Sequence, residues 1–163
     1  MADITATHSH KTDEWETPAW LINLIIEEFG PITLDPCCTR ENIKGSYGFT
    51  KQKDGLSQPW SGLTYVNPPY SEVGKWAKKS YEEALAGNAM VLFLCAARTD
   101  TRWWWDYARK GEVRFINGRL RFSYEGQPTN VSAPFPSALI VFRRGMLVTP
   151  STVYWEITKE WRK

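Results

Sequence analysis

A chain of 163 residues with 42% hydrophobic and 23% charged side chains has the size and composition of one globular domain, which excludes a disordered protein. The net charge of +2 does not by itself indicate a nucleic-acid-binding protein, and the sequence lacks the run of about 18 apolar residues that a membrane span requires. Three cysteines in a chain without an apolar leader predict reduced thiols in the cytoplasm, and the adjacent pair at 37 and 38 lacks the second pair or nearby histidine expected of a zinc site.

The first part of the chain predicts one helix and three strands behind a polar arm. Residues 1–12 are polar and predict a flexible arm, which leaves 13–163 as a single folded domain. The stretch TPAWLINLIIEEFG predicts a helix over 17–30, because Thr17 suits the cap and Pro18 suits the first turn. Strands are predicted over 31–36, 47–50 and 62–66.

The second part of the chain alternates helices with strands. Helices are predicted over 71–87, 101–111 and 151–163, and strands over 89–96, 112–117 and 137–144. The run AMVLFLCA at 89–96 is continuously apolar, which is typical of a strand buried on both faces. This alternation predicts an α/β fold in which a mostly parallel sheet carries helices on both faces. Neither a repeat nor a linker divides the sequence, so we expect a single compact domain.

Polar side chains follow two of the predicted strands where each strand ends. Asp35 closes the strand over 31–36, and the sequence Asn67-Pro68-Pro69-Tyr70 closes the strand over 62–66. Proline has no amide hydrogen and cannot continue a paired strand, so the two prolines end the strand abruptly. Ligands of such sheets bind at the carboxyl ends of the strands. The sequence therefore predicts a binding site that contains both segments.

These segments resemble the motifs of a known enzyme family. NPPY at 67–70 resembles motif IV of the S-adenosylmethionine-dependent amino-methyltransferases, and LDPCC at 34–38 resembles their first motif, although Thr39 stands where that motif has glycine. ETP at 16–18 resembles motif X, and DGL at 54–56 resembles motif III. The ordered set is similar to the phage-encoded Dam-type DNA N6-adenine methyltransferases.

The resemblance implies a fold, an activity and a location. The fold would be class I methyltransferase-like (Rossmann-like). The activity would be transfer of a methyl group from S-adenosylmethionine to the N6 amino group of adenine in double-stranded DNA, at a short site such as GATC. A phage-encoded enzyme would act in the cytoplasm of its bacterial host.

The resemblance also assigns roles to residues. The side-chain oxygen of Asn67 and the carbonyl of Pro68 would accept hydrogen bonds from the target amino group, Pro69 would fix the carbonyl direction, and Tyr70 would stack on the base. A carboxylate also accepts hydrogen bonds, so we expect Asn67→Asp to be milder than Asn67→Ala. The cofactor would bind residues drawn from all four motifs: Trp15, Thr17, Pro18, Asp35, Pro36, Cys37, Asp54 and Asn67.

Recognition of DNA is expected in loops inserted after residue 96. Only 31 residues separate Asp35 from Asn67, which is too few for an inserted recognition domain. The segments 96–105 and 117–136 hold arginines that suit contact with bases or phosphates, and the tryptophans at 103–105 suit a wedge into the space left by a flipped base. Pairing with surface carboxylates is the alternative for each arginine. The candidates are Arg98, Arg102, Trp103, Arg119 and Arg121.

Two other activities fit the same motifs. An amino-methyltransferase acting on RNA, cytosine N4 or protein glutamine would keep the cofactor site and change only the substrate. A non-catalytic DNA-binding module would bind DNA without transferring a methyl group. The sequence also leaves the oligomeric state open between a monomer and a homodimer.

Overall fold

A seven-stranded sheet lies at the centre of the structure, a computed structural model that describes residues 15–40, 42–124, 127–128, 132–146 and 150–155. The arm predicted over 1–12 lies outside the described residues. In chain order the elements are α1 (Ala19–Phe29), β1 (Leu34–Asp35), β2 (Tyr47–Gly48), β3 (Gly62–Val66), α2 (Val73–Leu85), β4 (Ala89–Ala96), α3 (Arg102–Asp106), β5 (Glu112–Ile116), β6 (Ser123–Tyr124), β7 (Gln127–Pro128), β8 (Ser137–Phe142) and β9 (Thr152–Trp155).

One strand of the sheet runs against the others. The strand order is β2-β1-β3-β4-β8-β5-β9, and β8 is antiparallel to both of its neighbours, whereas every other adjacent pair is parallel. The strands β6 and β7 form a separate hairpin. The carboxyl ends of β1, β3, β4 and β5 therefore lie along one edge of the sheet, here called the carboxyl edge, at Asp35, Val66, Ala96 and Ile116. The predicted α/β class and mostly parallel sheet are confirmed.

Two layers of helices cover the sheet. In β4, Val91 and Phe93 point into a core cluster with α2 and α3, whereas Leu92 and Leu94 point into a second cluster with α1. The prediction that this strand is buried on both faces is confirmed. The prediction of a single domain with helices on both faces of the sheet is also confirmed. Within the described ranges, every helix is too short or too polar to cross a membrane.

The predicted helix over 71–87 and the predicted strands over 112–117 and 137–144 lie within two residues of the observed bounds. The strand predicted over 31–36 is only Leu34–Asp35, and the helix predicted over 101–111 is an α-helix only over Arg102–Asp106. The strands predicted over 62–66 and 89–96 have these bounds in the structure. The first helix begins at Ala19, and Thr17 does not cap it, because the Thr17 hydroxyl is engaged by Tyr65 instead. The helix predicted over 151–163 is wrong at Thr152–Trp155, which forms β9 beside β5; residues 156–163 lie outside the described part of the chain. Pairing with the edge of β5 outweighs the local helical pattern there.

Candidate active site

The segments that follow β1 and β3 meet at the carboxyl edge. These two strands are neighbours in the sheet, with Leu34 paired to Thr64. Beyond the strand ends, the Cys37 thiol donates a hydrogen bond to the backbone carbonyl of Asn67, with 3.3 Å between sulfur and oxygen. The residues predicted from the LDPCC and NPPY motifs are therefore in direct contact.

Asp35 is a buried carboxylic acid held by backbone hydrogen bonds. Its side chain accepts hydrogen bonds from the backbone N–H groups of Cys37, at 3.3 Å, and Lys44, at 3.0 Å. Within the described residues it forms no ion pair. Burial raises the pKa of Asp35 to about 6, although the two backbone hydrogen bonds and the Lys44 charge act in the opposite direction. A buried carboxylate of this kind suits a positively charged ligand, which would lower the cost of its ionisation.

The side chain of Asn67 is held by residues that precede α1. Its Nδ2 atom donates to the backbone carbonyl of Trp15 at 2.6 Å and to the Thr17 hydroxyl at 3.2 Å. Because a carbonyl oxygen only accepts hydrogen bonds, the NH₂ group of the amide must face Trp15. The Oδ1 atom then lies on the other side of the amide, where no other described residue donates a hydrogen bond to it.

Tyr70 begins a short 3₁₀ turn that leads from the prolines into α2. Its ring meets the ring of Phe135 edge to face, with centroids 5.0 Å apart and planes at 75°. Burial raises the pKa of Tyr70, so the phenol stays protonated at neutral pH. The carbonyl of Pro69 accepts the N–H of Glu72 at 3.1 Å and is already occupied. The half-buried ring of Tyr70 is thus fixed beside the prolines of the motif.

The loop that contains Asp54 packs against the end of β1. A Cβ atom on Gly55 would come within 1.9 Å of the Pro36 carbonyl oxygen, so the loop and the DPCC segment touch through their backbones. The indole N–H of the buried Trp60 donates to the Gly55 carbonyl at 2.8 Å and holds the loop in place. Asp54 is exposed at the tip, with φ of 47°, and one carboxylate oxygen accepts the Leu56 N–H at 3.3 Å. The other oxygen makes no hydrogen bond within the described residues.

The remaining cofactor candidates lie around this cluster. Pro18 is buried immediately before α1. The half-buried ring of Trp15 packs against Phe122, with centroids 6.3 Å apart, so its backbone carbonyl and not its ring reaches Asn67. Two hydrogen bonds of 2.9 Å join the backbones of Glu16 and Ser123. The structure therefore brings residues 15–18 together with Asp35, Pro36, Cys37 and Asn67.

The predicted DNA-contacting arginines are exposed, and three of the four are free of ion pairs within the described residues. Arg98, Arg119 and Arg121 form none, whereas Arg102 pairs with Asp106 at 3.3 Å. Arg119 and Arg121 follow β5 and lie on either side of the buried Leu120, so both point away from the core at the carboxyl edge. Their contact with DNA stays a prediction.

The three consecutive tryptophans in α3 have different surroundings. Trp103 is half-buried, and its ring lies 6.4 Å from that of Phe93. Trp104 is buried, whereas Trp105 is 57% exposed and has the Arg109 guanidinium 5.1 Å from its ring centroid. Trp103 stays a prediction as a DNA contact, and Trp105 is the tryptophan of this group with the most accessible ring.

Three contacts in the site were missed by the sequence reasoning: the Trp15 carbonyl, the Tyr65 hydroxyl and the Phe135 ring. Tyr65 carries a usable signal, because a tyrosine one residue from the end of a buried strand must find a partner for its hydroxyl. Phe135 lies 65 positions after Tyr70 in a separate loop, and nothing local in the sequence connects the two residues.

Comparison with known proteins agrees with the motifs. The family model described as DNA N-6-adenine-methyltransferase (Dam) matches residues 4–162. The chain is 25% identical to a DNA N-6-adenine-methyltransferase of Haemophilus phage HP1 (strain HP1c1), over 85% of this chain and 84% of the relative. It is 26% identical to a DNA N-6-adenine-methyltransferase of Escherichia phage T1, over 75% of this chain and 61% of that longer relative. The chain belongs to the DNA N-6-adenine-methyltransferase (Dam) family.

Proposed function

We propose that this protein transfers a methyl group from S-adenosylmethionine to the N6 amino group of adenine in double-stranded DNA. Membership of the Dam family supports the reaction class. The observation that carries the proposal is the Asn67 amide, because its donor side is occupied by the protein and its Oδ1 is left to accept a hydrogen bond at the carboxyl edge.

The proposed acceptors address the weak nucleophilicity of adenine N6. The lone pair of this nitrogen is delocalised into the ring, so the amino group is planar and unreactive. Hydrogen bonds from its two hydrogens to the Asn67 Oδ1 and the Pro68 carbonyl would localise the lone pair on nitrogen. These hydrogen bonds strengthen as positive charge develops on N6, which stabilises the transition state more than the ground state.

Tyr70 would hold the base in the plane that this chemistry needs. Base stacking on an aromatic ring does not require the hydroxyl, and the buried phenol stays neutral. The edge contact with Phe135 fixes the tilt of the ring. An adenine inside a duplex would have to be flipped out of the helix to reach this ring.

The residues present fit S-adenosylmethionine, whose ammonium and sulfonium groups are both positive. Asp35 is 5% exposed and lacks an ion-pair partner within the described residues, so a cationic ligand would compensate its charge. Bound S-adenosylmethionine supplies a methyl group made reactive by the sulfonium. Asp35, Pro36 and Cys37 would hold it together with Thr17, Pro18 and the Trp15 backbone, and Asp54 would accept a hydrogen bond from its adenine.

A covalent enzyme intermediate is not part of this proposal. Burial raises the pKa of the Cys37 thiol well above its usual value, and the thiol donates a hydrogen bond to Asn67. A protonated, hydrogen-bonded thiol is a poor nucleophile. The Cys37 thiol instead tethers the NPPY segment to the end of β1.

We propose GATC as the target site and the host cytoplasm as the location, following the family resemblance and the phage origin of the relatives. The experiment is to incubate the protein with S-adenosylmethionine carrying a labelled methyl group and with unmethylated duplex DNA, RNA or protein. Mass spectrometry of the products should find N6-methyladenine from DNA, and sequencing should place it at GATC. Labelled N4-methylcytosine, labelled RNA or labelled glutamine would show that the substrate is not DNA adenine. DNA binding without incorporation of the labelled methyl group would indicate a non-catalytic module. Asn67→Ala provides the control for contaminating activity.

A further inference from the structure

The Asn67 amide is the end of a chain of hydrogen bonds that reaches the core. The Thr17 hydroxyl, which accepts from Asn67 Nδ2 at 3.2 Å, lies 2.6 Å from the Tyr65 hydroxyl. Thr17 and Tyr65 are 3% and 1% exposed, so water does not compete for these contacts. Both hydrogens of the Asn67 NH₂ group are directed at protein acceptors, because the Trp15 carbonyl lies 2.6 Å away.

The acceptor groups themselves have little freedom to move. Trp15 packs against Phe122, and the next residue, Glu16, exchanges two backbone hydrogen bonds with Ser123. Thr17 is followed by Pro18, whose ring fixes the backbone at the start of α1. The Trp15 carbonyl therefore cannot turn away from position 67 without breaking the pairing of residues 15–18 with the loop after β5.

We propose that the Trp15 carbonyl and the Thr17 hydroxyl are positioning groups that require an amide, and not a carboxylate, at position 67, and that they thereby aim Oδ1 at the amino group of the substrate. The part of this inference that concerns the amino group of the substrate rests on the proposed function. A carboxylate at position 67 has no hydrogen for the Trp15 carbonyl, so two oxygens would face each other in a half-buried site. This revises the expectation from sequence alone that Asn67→Asp is a mild change.

The first test is the pH dependence of Asn67→Asp. A protonated carboxyl group donates its single hydrogen to the Trp15 carbonyl and presents its other oxygen to the substrate, so it restores that contact but not the hydrogen bond donated to Thr17. The quantity to measure is the single-turnover rate of the variant divided by that of the wild type. We expect this ratio to fall tenfold per pH unit above the pKa of the new carboxyl group. At high pH the variant should be slower than the wild type by roughly 10²–10³. A ratio that does not change with pH would overturn the proposal.

The ratio is needed because other titratable groups surround position 67. Asp35 follows the neighbouring strand and has a pKa of about 6, so it titrates in both enzymes. Cys37, Tyr65 and Tyr70 also face this region, and burial raises the pKa of each, so they stay protonated in both. Dividing the two rates removes the effect of titrations that the wild type and the variant share.

The second test separates positioning from cofactor binding at Thr17. Thr17→Val keeps the shape and removes the acceptor, whereas Thr17→Ser keeps the hydroxyl. We expect Thr17→Val to slow methylation at saturating cofactor roughly five- to tenfold, the effect of one hydrogen bond, beyond any change in the dissociation constant of S-adenosylmethionine. Thr17→Ser should restore most of the rate.

Tyr65→Phe is the matched control for Thr17→Val. It removes the Thr17–Tyr65 contact and leaves the contact of Thr17 with Asn67, so it should lower stability more than it lowers the rate. If Thr17→Ser is as slow as Thr17→Val, or if Thr17→Val weakens cofactor binding and leaves the saturated rate intact, Thr17 acts through the cofactor and the proposal is wrong.

A third measurement does not depend on any activity. In the cofactor-free protein, the free energy of unfolding of Asn67→Asp relative to the wild type should decrease as the pH rises, because the ionised carboxylate faces the Trp15 carbonyl. A pH-independent difference would show that the side chain at position 67 does not face this acceptor. Absence of DNA methylation by the wild type would instead contradict the proposed function and leave this measurement valid.

Discussion

Asp35 lies in the candidate site, and its burial makes ionisation of its carboxyl group unfavourable. The side chain is buried at the end of β1, and its pKa is raised from 3.8 to about 6 by burial. The native state therefore holds the proton more tightly than the unfolded chain does. A group of this kind stabilises the fold most fully below its unfolded pKa, and the contribution is lost as the pH rises through its folded pKa.

We predict that the stability of the wild type falls relative to Asp35→Asn as the pH rises from 3.8 to about 6. The change should approach about 3 kcal/mol, at about 1.4 kcal/mol per pKa unit. Urea unfolding of both proteins without cofactor, at a series of pH values, measures the difference. A difference that stays constant over this range would mean that the Asp35 carboxyl group is hydrated.

Binding of S-adenosylmethionine gives the opposite pH trend for the same residue. Calorimetric titration of the wild type should show affinity increasing as the pH rises through about 6, because the anion then forms beside the cationic ligand. Asp35→Asn should bind weakly at every pH and keep its affinity for DNA. Equal cofactor affinity in the two proteins would remove Asp35 from the cofactor site.

Tyr70 is predicted to act through its ring alone. Tyr70→Phe keeps the edge contact with Phe135 and should methylate DNA within about threefold of the wild-type rate, whereas Tyr70→Ala should lose roughly 10- to 100-fold, the range for loss of one base–aromatic stacking contact. Single-turnover methylation at saturating DNA measures both. A phenylalanine variant as slow as the alanine variant would assign a chemical role to the hydroxyl.

At the residue scale, the sequence identified most side chains of the candidate site but not their supports. Asp35 closes one predicted strand and Asn67 follows another, and this was enough to place them at one edge. The donors and acceptors that orient them are largely backbone groups, such as the Trp15 carbonyl and the Lys44 N–H. Backbone groups are the same in every residue, so a sequence pattern does not show which of them faces a given side chain.

At the scale of elements, the packing of the Asp54 loop against the end of β1 depends on Gly55, which has no side chain. Gly55→Ala would place a Cβ atom 1.9 Å from the Pro36 carbonyl oxygen, so the loop would have to move away from the cofactor candidates. We predict lower affinity for S-adenosylmethionine and a lower midpoint of thermal unfolding.

Gly74→Ala is the matched control for that loop. Gly74 lies in α2, and its added Cβ would meet only the Trp103 side chain at an ordinary 3.5 Å. Alanine favours a helix by about 0.5–1 kcal/mol over glycine, so this variant should be as stable as the wild type or more so, with unchanged cofactor affinity. Equal effects of the two substitutions would argue against the backbone contact at Gly55.

The sequence predicted well those elements whose own residues show the pattern of burial. The run at 89–96 is apolar at every position, and it forms the central β4 with those bounds. The end of the chain is different, because β9 is mostly exposed and is a strand only through its pairing with β5. A distant partner of this kind leaves no periodic pattern in the local sequence. The β6–β7 hairpin was not predicted for another reason, because each of its strands has only two residues and is too short to show an alternating pattern.

At the scale of the whole molecule, the small net charge of +2 limits how DNA can be bound. We expect the affinity to come from a few arginines on one side. Arg119 and Arg121 leave β5 at the carboxyl edge without ion pairs in the described residues. Each phosphate contact contributes about 0.9 to the slope of log affinity against log salt concentration. We predict that Arg119→Ala and Arg121→Ala each lower this slope by about 0.9.

Arg144→Ala tests whether that effect is local. Arg144 is exposed just beyond the end of β8, at the opposite edge of the sheet, and should not change the salt dependence. Fluorescence anisotropy with a labelled duplex over a range of salt concentrations gives the three slopes. A slope lowered equally by all three substitutions would indicate a general charge effect instead of a binding face.

The reversed direction of β8 places both ends of one connection at the carboxyl edge. Because β5 ends and β8 begins at the carboxyl edge, the connection between them leaves from that edge and returns to it, and neighbouring strands lie only about 4.8 Å apart. Phe122 and Ser123 anchor one end of the connection to residues 15 and 16, and Phe135 anchors the other end to Tyr70. We predict that a longer segment is tolerated between these anchors, since doubling a loop's length costs only about 0.6 kcal/mol. We expect that substituting this segment leaves Asp35 and Asn67, which follow β1 and β3, in place.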